Sequence, residues 1–221
     1  MSQNKLRLAL FDLDGTLLDT EEQYTILWGS IGRKYHPEIP DFAQRIKGST
    51  LKRILDDYFP KEDIRSALLP DLYAHERKMR FNFFSGALDF ITELRHNGIK
   101  CAVVTSSNQD KMNAVREQIR RFDSLFDHIF TAEDFQFSKP NPECYLNAVS
   151  HFGMNKDECV IFEDAPNGLE AGRRSGIFTI GVASTLTPEQ ISPLCDYVLT
   201  SYEGFTPEML QEVIQQSNGK K

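Results

Sequence analysis

Asp12 and Asp14 stand one residue apart at the end of an apolar run, Leu6 to Phe11, and Gly15 follows at once. Alternation along a strand points both carboxylates to one side, and the glycine marks a sharp turn. Thr105-Ser106-Ser107-Asn108 follows a second apolar run and opens a helical stretch. Ser and Asn cap helices, and a hydroxyl beside the free N–H groups of a helix start also suits an anion. Lys139-Pro140-Asn141-Pro142 opens another helix, where a cation opposes the helix dipole unless it faces negative charge. The two prolines stiffen that loop. Glu163-Asp164 closes the run Cys159–Phe162, and adjacent carboxylates at a buried strand end repel unless a cation joins them. With Asp12 and Asp14 they make a hard, oxygen-rich set suited to Mg²⁺, completed by waters and a substrate phosphate. Each group alone reads equally as a turn, a cap or a surface charge. Together they fall at successive strand ends, where an open α/β sheet binds its ligands.

The run Phe11-Asp12-Leu13-Asp14-Gly15-Thr16-Leu17-Leu18-Asp19, with the other three groups in order behind it, resembles the four motifs of the haloacid dehalogenase-like superfamily of aspartyl phosphoryl-transfer enzymes. The likeness covers nearly the whole chain and is nearest to the β-phosphoglucomutase-like phosphatases, which carry a small helical cap after the first motif. It implies that Asp12 is the nucleophile and Asp14 the acid and base. It implies that Thr105 bonds a phosphoryl oxygen with the Ser106 amide beside it, and that Lys139 neutralises charge there. Mg²⁺ would be met by the Asp12 carboxylate, the Asp14 backbone carbonyl and the Asp164 carboxylate, with Glu163 either a direct ligand or one step behind.

Arg45-Ile46-Lys47-Gly48-Ser49-Thr50 resembles the cap loop that faces substrate, so Arg45, Lys47 and Gly48 are expected there, a solvated basic face being the alternative. Mutase members carry an arginine shortly after this loop and a histidine soon after the first motif. Here Leu51-Lys52-Arg53 is out of register for the first, and Tyr24 stands in the second position. The expected activity is Mg²⁺-dependent hydrolysis of a small phosphorylated metabolite, such as a sugar phosphate, through an aspartyl phosphate. A β-phosphoglucomutase-type phosphomutase is the alternative. A receiver-like signalling domain also gathers Asp, Thr, Lys and Mg²⁺ at strand ends, but lacks the acid at Asp14 and the cap.

The elements that must position these groups divide in two. Residues 20–81 lack a strand-like run and show helical stripes, Tyr24, Leu27 and Ile31, then Leu51, Ile54, Leu55 and Tyr58. Pro37, Pro40, Pro60 and Pro70 are expected to break the stretch into short helices. Roughly 60 residues of helix exceed the one crossover helix that parallel strands need, so 20–81 is expected to be an inserted helical cap domain. Residues 1–19 and 82–221 then form the α/β core. There, strands expected at 100–105, 128–131, 159–162, 179–182 and 197–199 alternate with helices bearing Leu88, Ile91 and Leu94, then Met112, Val115 and Ile119, then Tyr145, Val149 and Phe152. Pro142 is expected to begin the third of these helices, and Gly176 to end a fourth, Pro166–Ser175. Such alternation implies a doubly wound parallel sheet, HAD-like and Rossmann-type. The histidines and Trp28 fall outside the four groups and are assigned to packing or surface. Tyr73 to Arg80 reads as a solvated mixed-charge face, and the tail from Ser217 is expected to fray.

The 221 residues are 40% hydrophobic and 26% charged, as in ordinary globular domains. The net charge of −7 argues against nucleic acid or an anionic membrane as the main partner. Four cysteines without a Cys-x-x-Cys spacing read as reduced structural residues. The N-terminus shows no signal-peptide pattern, and no apolar run approaches the roughly 20 residues of a membrane span. A cytoplasmic monomer is expected.

Overall fold

The computed structural model describes residues 5–218. Six strands, β1 (Leu8–Phe11), β2 (Lys100–Val104), β3 (His128–Phe130), β4 (Cys159–Glu163), β5 (Phe178–Val182) and β6 (Tyr197–Leu199), form one sheet in the order β3-β2-β1-β4-β5-β6. Every pairing is parallel. The chain leaves β1 toward β2 and β3 on one side and returns to β4 on the other. This reversal is the switch point where a crevice opens beyond the strand ends.

All four residues of β1 and all five of β4 are buried. Burial on both faces explains why these strands read as continuous apolar runs. Ala9, Phe11, Val103 and Phe162 pack on one face of the sheet, and Leu8, Leu10, Val104 and Ile161 on the other. Phe11 and Phe162 stack across neighbouring strands with centroids 4.6 Å apart, fixing the register of the two strands that carry the acidic groups.

Five helices lie between β1 and β2, and the first four form one group: α1 (Glu21–Tyr35), α2 (Phe42–Arg45), α3 (Leu51–Tyr58) and α4 (Glu62–Glu76). They enclose a core of their own, in which Trp28, Phe42, Ile54, Phe59 and Leu72 meet. The remaining helices are α5 (Ala87–His96), α6 (Gln109–Gln118), α7 (Glu143–His151), α8 (Pro166–Ser175), the single turn α9 (Pro188–Ile191) and α10 (Pro207–Asn218). α5, α6 and α10 cover the Phe11 face, and α7 and α8 the Leu8 face.

The structure departs from expectation at several bounds. Pro37, Pro40 and Pro60 lie between helices, but Pro70 lies inside α4. Leu68 and Leu72, buried on either side of it, keep the helix going, because packing of an apolar face outweighs local propensity. Pro142 is the residue before α7, not its first residue. Helix α10 continues through Ser217 to Asn218, and 219–221 lie outside the described residues. The four cysteines are free. Among the described residues no helix is long and apolar enough to cross a membrane.

Candidate active site

Asp12 follows β1, Thr105 follows β2 and Glu163 ends β4, three neighbouring strands of the sheet. Asp12 and Thr105 extend the ladders, their N–H groups donating to Phe162 O and Phe130 O at 3.0 Å each. Lys139 enters from the loop before α7 and is 2% exposed. Its ammonium donates to Asp12 Oδ1 at 2.7 Å, Glu163 Oε1 at 2.6 Å and Val104 O at 3.1 Å, which uses all three of its protons. Burial alone would lower the lysine's pKa, but the Asp12 and Glu163 charges outweigh it and hold it well above the ordinary value.

Glu163 is fully buried and its oxygens are committed. Oε1 also accepts from Tyr145 Oη at 3.0 Å, and Oε2 accepts from the Asp164 and Ala165 amides at 3.0 and 3.1 Å. A Cβ on Gly168, in the first turn of α8, would overlap Glu163 Oε1. Asp164 accepts from Thr16 Oγ1 at 2.8 Å and from the Thr185 hydroxyl. Gly15 has φ +75°, and a Cβ there would overlap Asp164 Oδ2. The glycine after the two aspartates is thus required both by its left-handed backbone and by the carboxylate beside it.

Asp12, Glu163 and Asp164 each offer an oxygen within 4.8 Å of the others. Burial pushes the Asp12 carboxyl up to about 7 against the pull of Lys139, with Glu163 and Asp14 adding to the rise. Burial, then Glu21, Glu163 and Asp12, push Asp164 well up too. Crowded carboxylates of this kind fit a hard divalent cation. Since four donors already occupy Glu163, Asp12 and Asp164 are the freer ligands.

Asp14 has a different environment. Oδ1 accepts from Thr20 Oγ1 at 2.6 Å, Oδ2 accepts from Ser107 Oγ at 2.9 Å, and Lys111 on α6 pairs with Oδ2. Burial would raise this carboxyl, but Lys111, aided by the Thr20 and Ser107 bonds, takes it below its ordinary value. The Lys111 ammonium lies 4.2 Å from the centre of the Tyr24 ring, and Tyr24 Oη donates to Glu76 Oε1 at 2.9 Å. Glu76 is buried, so the Tyr73–Arg80 stretch is not the solvated face expected of it. Lys111 and Glu76 escape the motif reading. One signal did point to Lys111: Asn108 caps α6 by accepting from the Lys111 amide at 3.0 Å. That places the lysine in the first turn of α6, where the dipole opposes it unless it faces negative charge.

Thr105 is buried, its Oγ1 accepting from the Ser107 amide at 3.0 Å. The loop before α3 and the first turn of α3 are stitched to the core. Ser106 Oγ donates to Gly48 O at 3.1 Å, Asn167 Nδ2 to Lys47 O at 2.8 Å, the Thr50 amide to Ser138 Oγ at 3.0 Å, and Arg53 Nη1 to Lys139 O at 2.8 Å. Between the helical segment and the strand ends lies a cavity of about 120 Å³. Asp12, Asp14, Thr105 and Ser106 line it from the core, and Lys47 and Gly48 from the helices. Trp28 belongs to the helical core, as expected of a packing residue, and also faces the cavity. Arg45 is exposed and outside it, because α2 buries Phe42 and Ala43 and turns Arg45 to solvent.

A sequence profile of haloacid dehalogenase-like hydrolases matches residues 9–182. The chain is 29% identical over 198 residues to a validoxylamine A 7′-phosphate phosphatase of Streptomyces hygroscopicus subsp. limoneus, covering 84% of this chain and 90% of the relative. It is 30% identical over 196 residues to a phosphorylated carbohydrates phosphatase of Thermotoga maritima, covering 82% and 87%. The fold matches the crystal structure of a β-phosphoglucomutase from Clostridium difficile with a TM-score of 0.73, at 22% identity, over 96% of this chain and 98% of that one. The matched profile spans the sheet from β1 to β5 and every acidic group described above, so the chain belongs to the haloacid dehalogenase-like hydrolase family.

Proposed function

We propose that the protein is a Mg²⁺-dependent phosphatase of a small phosphorylated metabolite, such as a sugar phosphate, working through an aspartyl phosphate on Asp12. Its family and its phosphatase relatives make it a phosphoric monoester hydrolase. The finer proposal rests above all on one observation. Asp12 lies within hydrogen-bond reach of Lys139 and within 4.8 Å of the Asp164 and Glu163 carboxylates, at the ends of adjacent strands.

In this proposal ionised Asp12 attacks phosphorus in line, forming the acyl phosphate while the ester P–O bond breaks. Asp14 gives the leaving oxygen its proton, then takes one from the water that cleaves the acyl phosphate. Thr20, Ser107 and Lys111 hold its carboxyl for that task. Lys139, Thr105 and the Ser106 amide share the negative charge of the phosphoryl oxygens. Glu163 acts behind them by fixing Lys139. Mg²⁺, held by the Asp12 and Asp164 carboxylates and the Asp14 carbonyl, would supply charge neutralisation and orientation.

Residues 20–81 serve as the cap domain over a core of 1–19 and 82–221, and their closure keeps bulk water from the acyl phosphate. The bonds from the loop before α3 and from Arg53 to the core, and the separate apolar cluster of α1–α4, support this division. Hydrolysis is favoured over phosphomutase chemistry because Leu51 lines the cavity where a phosphate-binding arginine is looked for, and Arg53 is spent on Lys139 O. The proposal includes a cytoplasmic monomer, for which the acidic composition and free cysteines are the support.

The test is a panel of phosphate monoesters scored for phosphate release with Mg²⁺ and with EDTA. Release that needs the metal is expected; undiminished release in EDTA overturns the metal-dependent chemistry.

A further inference from the structure

The cavity has two unlike walls. On the helical side Trp28, Ile46, Leu51, Ile54 and Leu72 face it, a wall that asks for C–H surface and offers little to a solvated group. Two cations line the cavity, Lys47 and Lys111, and both are taken. Lys47 pairs with Glu21 at 2.5 Å, and Lys111 with Asp14. Glu76 adds a further acidic side chain to the same lining. The other cations near this loop are turned elsewhere. Arg45 is exposed outside the cavity, and Arg53 is bound to Lys139 O and Asp57. An anionic group on the alcohol half of a substrate would therefore meet carboxylates and no uncommitted ammonium, in a site where like charges are unfavourable.

We propose that the alcohol released is compact, uncharged and apolar on one face, and that esters bearing a carboxylate or a second phosphate on that alcohol are rejected. The inference rests on the phosphatase proposal and narrows it to a substrate class. Lys139 and the strand ends answer for the phosphoryl charge, and among the described residues no uncommitted cation lining the cavity answers for a second anion. The cavity of about 120 Å³ is also lined by Asp12, Thr105 and Ser106 on the phosphoryl side, so the space against the apolar wall suits a compact alcohol such as a short polyol or a single ring.

The test is kcat/KM with Mg²⁺ for matched pairs, 2-hydroxyethyl phosphate against phosphoglycolate and glycerol 1-phosphate against 3-phosphoglycerate, with cyclohexyl phosphate and a hexose 1,6-bisphosphate alongside. The uncharged member of each pair is expected to be better by at least about 10-fold, the size of an unanswered like-charge contact. Glu21→Gln, which releases Lys47, is expected to narrow that ratio. Equal or better turnover of the anionic members, or a ratio unmoved in Glu21→Gln, overturns the inference while leaving hydrolysis standing. No release from any ester overturns the phosphatase proposal, and this inference with it.

Discussion

Lys111 and Asp14 form a buried ion pair that ties the first turn of α6 to the loop after β1. The lysine is 4% exposed, and the pair adjoins the Asp12 carboxylate in the same cavity. A cation so close keeps Asp14 charged in the resting site, so in the proposed mechanism Asp14 takes up a proton as the ester binds, holds it weakly and passes it readily to the leaving oxygen.

Lys111→Met should move the pH limb governed by Asp14 to higher pH, because the cation that lowers this carboxyl is gone. The same variant should lose stability by about 3 kcal/mol, the usual cost of leaving a buried charge without its partner. A pH–rate profile and a denaturant melt read the two effects separately. A profile at the wild-type position would remove Lys111 from the chemistry.

Metal affinity should depend on pH. Without a cation the Asp12 carboxyl holds its proton up to about 7, and Asp164 is raised as well. A divalent ion must displace those protons. Apparent Mg²⁺ affinity is therefore expected to weaken as pH falls through about 7 and to level off above it. Calorimetry in buffers of different ionisation enthalpy should show proton release on binding near pH 6.5, and none would contradict the acidic cluster as the site.

Gly48→Ala probes the contact between the loop before α3 and the core. The residue has φ +74°, and a Cβ would stand 3.2 Å from Asn167 Cβ and 3.3 Å from Ala165 Cβ. The left-handed backbone costs a non-glycine residue about 1–2 kcal/mol, and the crowding pushes the loop off the core. KM is expected to rise by about 10-fold, the equivalent of that energy, with the melting temperature of the core little changed. An unaltered KM would show that the loop's contact with Asn167 does not bear on substrate.

Much of the fold was legible because its carriers are local. Strands β1 and β4 are buried on both faces and so are apolar runs without alternation, and each ends in carboxylates that a sheet can only place at its carboxyl edge. Asp12, Lys139 and Asp164 meet as the motif order implied. What stayed hidden is what depends on distant packing. Pro70 inside α4 is tolerated only because Leu68 and Leu72 are buried beside it. Lys111 meets Asp14 across 97 positions of sequence, and Tyr24 meets Glu76 across 52, pairings no periodicity announces. Arg45 and Lys47 differ in fate through their facing on and after α2, which the run of basic residues does not reveal.

Asp12→Asn should abolish phosphate release, by about 10³-fold or more for loss of a nucleophile. Its fold should survive, since the amide relieves repulsion from Glu163 and Asp14, and Lys139 keeps Glu163 as a partner. Circular dichroism and a melt alongside the assay distinguish lost chemistry from lost structure.

The most direct measurement is chemical trapping of the acyl phosphate during turnover. The enzyme is quenched in acid while hydrolysing a good ester with Mg²⁺, reduced with borohydride, digested and read by mass spectrometry. Reduction expels the phosphate and leaves homoserine in place of the phosphorylated aspartate, and that change should fall at Asp12 and be missing without substrate. Reduction at another carboxylate, or steady turnover accompanied by none at Asp12, would contradict a phosphorylated Asp12.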